Sequence, residues 1–183
     1  MTPAEFTATT AGLAYQPRGV LFSELYMFAA CCQDRGVTAI AESGVRNGGS
    51  TRVLRRLFAD VTSFDKAAAA IPPDLRAVVT IADGREAIPA WVNARPGQAL
   101  AVLLDGPKGP KGDVVRGWCL GQPQVRLVAQ HDCVRGHDED WHSQTPAFRA
   151  ETGDCLDARV PANVMARFYQ RGKGLGIWFG RAA

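Results

Sequence analysis

The sequence predicts an α/β fold: one domain built on a doubly wound, mostly parallel sheet. Three observations carry that expectation. Strand-like runs alternate with amphipathic helical stretches along the chain. The central runs are apolar almost throughout, as in strands covered on both faces. Five of the runs in turn finish on, or just before, an acid: Glu42, Asp65, Asp83, Asp105 and Asp132. One acid at a strand end means little, because Asp also opens turns and caps helices. Five in succession draw a rim of carboxylates around a crevice at the carboxyl ends of the strands, where open α/β sheets bind their ligands.

Taken in order, "LFSELYMFAACCQDR" (21–35) sets Leu21, Phe22, Leu25, Phe28, Ala29 and Cys32 at helical spacing, with Gly36 as the stop. "VTAIAE" (37–42) is a short apolar, β-branched run and so a buried first strand. "STRVLRRLFAD" (50–60) is a helix with Val53, Leu54, Leu57 and Phe58 inward and arginines outward, and Ser50 or Thr51 can cap it. "VTSFD" (61–65) and "AVVTIAD" (77–83) are the second and third strands, with a helix expected around 86–94. "ALAVLLD" (99–105) is the fourth strand, "VRLVAQHD" (125–132) the fifth, and "LGIWFG" (175–180) the last. "GPKGPKG" is too short a repeat for a triple helix and reads as a loop.

Bulk properties narrow the function classes. The 183 residues suit a single domain, 1–183, with residues 1–20 as an N-terminal arm or lid. A hydrophobic share of 46% and a charged share of 21% are ordinary for a globular protein. A net charge of +3 without a basic tract gives nucleic-acid binding no electrostatic support. The apolar runs are too short to span a bilayer, and "MTPAEFTATT" lacks the features of a signal peptide, so no membrane partner is expected. Five cysteines, without a CxxC pair, read as reduced thiols of a cytoplasmic protein.

The turn after the first strand, "AESGVRNGGSTRVL", is rich in glycine. Gly44, Gly48 and Gly49 let the backbone turn tightly and approach a ligand. The spacing is neither GxGxxG nor a P-loop. Asp65 follows at the end of the next strand, where nucleotide folds place a carboxylate for ribose hydroxyls.

These residues resemble the first motif of the class I S-adenosylmethionine-dependent methyltransferases. The nearest group is the small-molecule O-methyltransferases similar to macrocin O-methyltransferase and cephalosporin hydroxylase, which carry E-x-G-x-x-x-G-G-S here. "VTSFD", "TIADG", "LLDG", "AQHD" and "GKGLGIWF" resemble later motifs of the group, so the likeness runs over roughly residues 20 to 180. The resemblance implies a Rossmann-like fold and S-adenosylmethionine as cofactor. It sets the methionine moiety against Glu42, Gly44 and Gly48, with Gly49 in the turn and Ser50 at the helix N-terminus. Asp65 would hold the ribose hydroxyls, and Asp83 with Gly84 would lie beside adenine. A diol and an exocyclic amine both call for acceptors, which carboxylates supply. A turn residue before Gly84 is the other reading of Asp83.

"LLDGPKGPKGD" departs from the group, which reads D-G-x-H at this place; here Pro107 and Lys108 stand instead. Lys108 and Lys111 are flexible cations at the rim, suited to an anionic group of the substrate or simply solvated. All three histidines lie in "AQHDCVRGHDEDWHSQ" (129–144). His131 and Asp132 end the fifth strand, beside the fourth strand's Asp105 in this fold. Asp105 and Asp132 could together hold Mg²⁺, which would acidify a substrate hydroxyl. His131 could act as general base or be a structural histidine. The spacing H-x-C-x₃-H-x₄-H offers a competing zinc site with Cys133, while His137 and His142 read better as part of a polar loop. Asp105, His131 and Asp132 are thus the candidate catalytic residues. The expected function is methyl transfer to a small polar, anionic acceptor, at oxygen. The rivals are a cephalosporin-hydroxylase-like modifying enzyme and a ligand-binding protein that has lost transfer chemistry. The region around "YQPRGVLF" and the 133–150 loop are the expected lids, and a homodimer is left open.

Overall fold

The computed structural model describes residues 1–16, 19–132 and 174–180. Helix α1 spans Pro3–Thr9, α2 Phe22–Asp34, α3 Gly49–Leu57, α4 Gly84–Asn93 and α5 Pro110–Leu120. Strands β1 (Ala39–Ser43), β2 (Val61–Asp65), β3 (Val79–Ile81), β4 (Leu100–Leu104), β5 (Val125–Gln130) and β6 (Gly176–Phe179) form one sheet in the order β3-β2-β1-β4-β5-β6. All neighbours run parallel except β6, which pairs antiparallel with β5. The doubly wound, mostly parallel sheet expected from the sequence is therefore the observed architecture.

Burial explains why the strands read as continuous apolar runs. Every residue of β1 and β4 is buried. Along β4, Ala101 and Leu103 join a core with α2 and α3 residues such as Phe28 and Leu54. Leu100, Val102 and Leu104 join a second core with Ile88 and Val92 of α4 and Val115 and Cys119 of α5. Side chains alternate across a strand, so both faces must be apolar when helices cover both. The strand order reverses between β1 and β4, and this switch point sets the crevice where a ligand fits.

Two helices depart from the sequence reading. The N-terminal stretch, expected as arm or lid, holds α1. Thr2 and Glu5 form a reciprocal capping box, and Pro3 occupies the first turn, where its missing N–H costs nothing. Phe6 is fully buried and meets the Tyr26 ring edge-on at 5.6 Å, so this segment belongs to the core. The second half of "GPKGPKG", expected as loop, starts α5: Pro110 takes the first helical position. Gly112 is needed there because a Cβ would lie 2.5 Å from the Pro107 carbonyl oxygen. Helix α3 is capped differently as well. Gly48, at φ +72°, is its N-cap, and Ser50 and Thr51 lie within the first turn. Cys133, Cys155, His137, His142, the 133–150 loop and the Pro17–Arg18 part of "YQPRGVLF" lie outside the described residues. Among the described residues, no helix is long and apolar enough to cross a membrane.

Candidate functional site

The ends of β1 and β4 meet closely at the switch point. The Asp105 and Gly106 amides both donate to the Ser43 carbonyl, at 2.8 and 3.0 Å. Gly44 follows at φ +97°, and a Cβ on it would lie 2.7 Å from the Asp105 carbonyl carbon. Only glycine fits this position, for its backbone angle and for the space. Gly84, at the start of α4, backs onto Ser43 so closely that its own Cβ would overlap the Ser43 Oγ. Gly49 is approached by Gln16 from the N-terminal segment, with Gln16 Cβ 3.2 Å from where a Gly49 Cβ would be.

Beneath this turn, Glu42 is completely buried. Ser50 donates to its Oε1, and Thr51 and Ser63 donate to its Oε2 at 2.6 and 2.9 Å. Burial pushes the Glu42 carboxyl up, and the three hydroxyls oppose that shift. Glu42 thus ties β1, β2 and the first turn of α3 together. Its carboxyl and the Ser50 hydroxyl, both expected at the cofactor, are turned to each other inside the protein.

Asp65 is placed differently. Its Oδ2 accepts from the Arg46 amide at 2.9 Å and its Oδ1 from the Ala67 amide at 2.8 Å. The two amides fix the carboxylate at the end of β2, and each oxygen keeps a further lone pair for a diol. Asp83 caps α4 through the Arg85 amide and pairs with the Arg85 guanidinium at 2.7 Å, which holds its carboxyl down to about 2. The alternative reading of Asp83, a residue of the turn before Gly84, describes these contacts.

A second cluster lies at the ends of β4 and β5. His131 Nδ1 is 2.8 Å from Asp105 Oδ1, and its Nε2 is 3.5 Å from Glu24 Oε2. The ring is 2% exposed. Burial alone would lower its pKa, but the Glu24 charge and the hydrogen bond to Asp105 outweigh burial and lift it to about 10. The two carboxylates on either side of the ring favour its charged form. The ring is thus held between Asp105 and Glu24. Asp132 follows at φ +59°, with Oδ1 3.7 Å from His131 Nδ1.

Lys108 completes the cluster. Its Nζ contacts Asp105 Oδ1 and lies 2.8 Å from Asp132 Oδ2. Burial opposes the Lys108 charge, and the two carboxylates more than offset it, so the pKa is raised. Lys108, expected at a substrate, reaches across to the two acids while its side chain stays 45% exposed. Lys111 lies in the first turn of α5 and is exposed.

Ligand-type atoms of Asp105, His131 and Asp132 come within 4.8 Å of one another, a spacing that a cation could bridge. The Lys108 ammonium already touches both carboxylates, and His131 Nδ1 carries a proton. A divalent ion would have to displace the first and strip the second. As arranged, these residues do not fit the Mg²⁺ expected from the sequence.

Glu24 was missed in the sequence. Its signal was an acid inside an apolar helix face: Leu21 and Phe28 stand three and four residues away on the same stripe. Glu24 Oε2 also accepts from the Leu21 amide at 2.9 Å, closing the start of α2.

No family model matches the chain, and no curated protein sequence matches it. Solved structures do. A protein assigned as an O-methyltransferase from Klebsiella pneumoniae is similar over 97% of this chain and 89% of its own, at 14% identity and a TM-score of 0.51. The structure named cmcI-N160 SAH is similar over 91% of this chain and 84% of its own, at 16% identity and a TM-score of 0.50. At these identities the likeness is one of fold, a Rossmann-like, mostly parallel sheet with helices on both faces.

Proposed function

We propose that this protein is an S-adenosylmethionine-dependent methyltransferase acting on a small polar acceptor, at oxygen. The observation that carries the reading is the pairing at the switch point: the glycine turn of β1 pressed against the end of β4, with Asp65 held by two backbone amides at the end of β2. The glycines let the turn press against the end of β4, and Asp65 suits a ribose diol. The cofactor supplies a methyl group on a sulfonium, whose C–S electron pair stays on sulfur as the C–O bond forms.

The protein's share is placement and charge. An acceptor hydroxyl reaching the β4–β5 ends meets Asp132, whose side chain is 27% exposed against 13% for Asp105. Asp132 is the acid placed to take the hydroxyl proton, and Lys108 stands beside it as a fixed positive charge. His131 holds Asp105 in place from behind. Orientation of the two reactants supplies most of the rate. The exposed Lys111, one turn from this rim, suits an anionic group on the acceptor.

Calorimetric titration with S-adenosylhomocysteine tests the reading. Saturable binding to one site per chain is expected. Absence of binding at millimolar ligand sinks it.

A further inference from the structure

We propose that Lys108 is the built-in cation of this site, its ammonium standing between Asp105 and Asp132 where a divalent ion would otherwise bridge them, so that the protein works without a bound metal. The argument starts from charge. Asp105 and Asp132 end adjacent parallel strands, and two carboxylates brought this close need a positive partner. Mg²⁺ would be one answer, using carboxylate oxygens and water. The chain supplies another: Lys108 follows Asp105 by three residues and contacts both acids. His131 meets Asp105 from the protein interior, with Glu24 at its other ring nitrogen. The position a bridging dication would take between Asp105 and Asp132 is thus occupied by a group of the chain itself.

The consequence is chemical as well as structural. A lysine ammonium is a compact point charge with three donors. Two of them go to Asp105 and Asp132, and the third can meet an acceptor oxygen as negative charge grows on it. The side chain is 45% exposed, so that face is open to a ligand. This last step rests on the reading of the site as a methyl-transfer centre; the occupancy of the cation position does not.

Titration with Mn²⁺, followed by water-proton relaxation, tests the occupancy directly. The wild-type protein should show no Mn²⁺ binding tighter than about the millimolar range. Lys108→Ala and Lys108→Met should each open the site and tighten Mn²⁺ binding by at least about tenfold, with Asp132→Asn in the same background removing the gain. Lys111→Ala should leave Mn²⁺ binding as in wild type. Tight binding to the wild type that Asp132→Asn abolishes overturns the proposal, as does a failure of both folded Lys108 variants to gain affinity. S-adenosylhomocysteine titration of the same samples keeps the two readings apart. If the cofactor product fails to bind while the Mn²⁺ pattern holds, methyl transfer falls and the lysine cation stands.

Discussion

Gly44 and Asp105 touch backbone to backbone, with room for no side chain between them: a Cβ on Gly44 would lie 2.7 Å from the Asp105 carbonyl carbon. The contact joins the glycine turn to the end of β4, at Asp105. Gly44 also sits at φ +97°. Gly44→Ala therefore combines an unfavourable backbone angle, about 1–2 kcal/mol, with overpacking of about 1–3 kcal/mol. We expect urea unfolding to register a loss of about 2–5 kcal/mol. S-adenosylhomocysteine affinity should fall in the same variant, since the turn cannot move without shifting Asp105. Wild-type stability in Gly44→Ala would show that the strand ends give way more easily than this geometry allows.

Asp65 should report on the cofactor more selectively. Asp65→Asn keeps an acceptor for one of the two amides but loses the second anionic oxygen. Loss of a hydrogen-bonded acceptor for a buried diol costs about 1–3 kcal/mol of binding. The expected result is weaker S-adenosylhomocysteine binding of that size, over and above any small loss of thermal midpoint from the amide left without its acceptor. Unchanged affinity would place the ribose elsewhere.

Glu42 is a case where burial and hydrogen bonding decide between two substitutions. Glu42→Leu leaves the Ser50, Thr51 and Ser63 hydroxyls without their acceptor inside the core. The cost should be on the order of 3 kcal/mol or more, at about 1–3 kcal/mol for each stranded polar group. Glu42→Gln keeps an acceptor and removes the charge. Since burial raises the Glu42 pKa in the folded protein, ionising it costs stability as pH rises above its ordinary value of 4.5. Glu42→Gln should then be at least as stable as wild type at pH 7 and should lose the part of the pH dependence just above 4.5. Equal destabilisation by both substitutions would contradict this account.

Much of the fold was legible because the parallel strands are buried on both faces. "ALAVLLD" can only be a central strand, and β4 is buried at every residue. "VTSFD" matches β2 residue for residue, from the position after Asp60 to the strand-end Asp65. Helix α5 was hidden by its composition: Gly109, Gly112 and Gly117 mask a helical pattern, and Pro110 reads as a breaker although the first turn tolerates it. In the site, the adjacency of Asp105 and Asp132 followed from strand order alone. The pairing of Glu24 with His131 did not, because α2 and β5 are far apart in sequence and only the packing of α2 against the sheet brings them together. The reach of Lys108 to both acids was equally hidden, because a loop lysine has no periodicity to fix its direction.

The last prediction concerns His131 and pH. Its pKa in the folded protein is about 10, against 6.5 for an ordinary histidine, because Glu24 and Asp105 outweigh the effect of burial. A raised folded-state pKa means that the native protein holds a proton the unfolded chain releases. The resulting stabilisation is fully present below about pH 6.5 and is lost as pH rises through about 10. Within that window the slope from one such group is at most about 1.4 kcal/mol per pH unit. Thermal unfolding of the wild type from pH 6 to 10 should show a falling midpoint. His131→Gln, which keeps a neutral donor near Asp105, should start from a lower midpoint and show a flatter profile. Lysines also titrate towards the top of this range, so the difference between the two proteins is the readout. Parallel profiles would mean that the ring is neutral in the fold, and His131 would return as the candidate base beside Asp132.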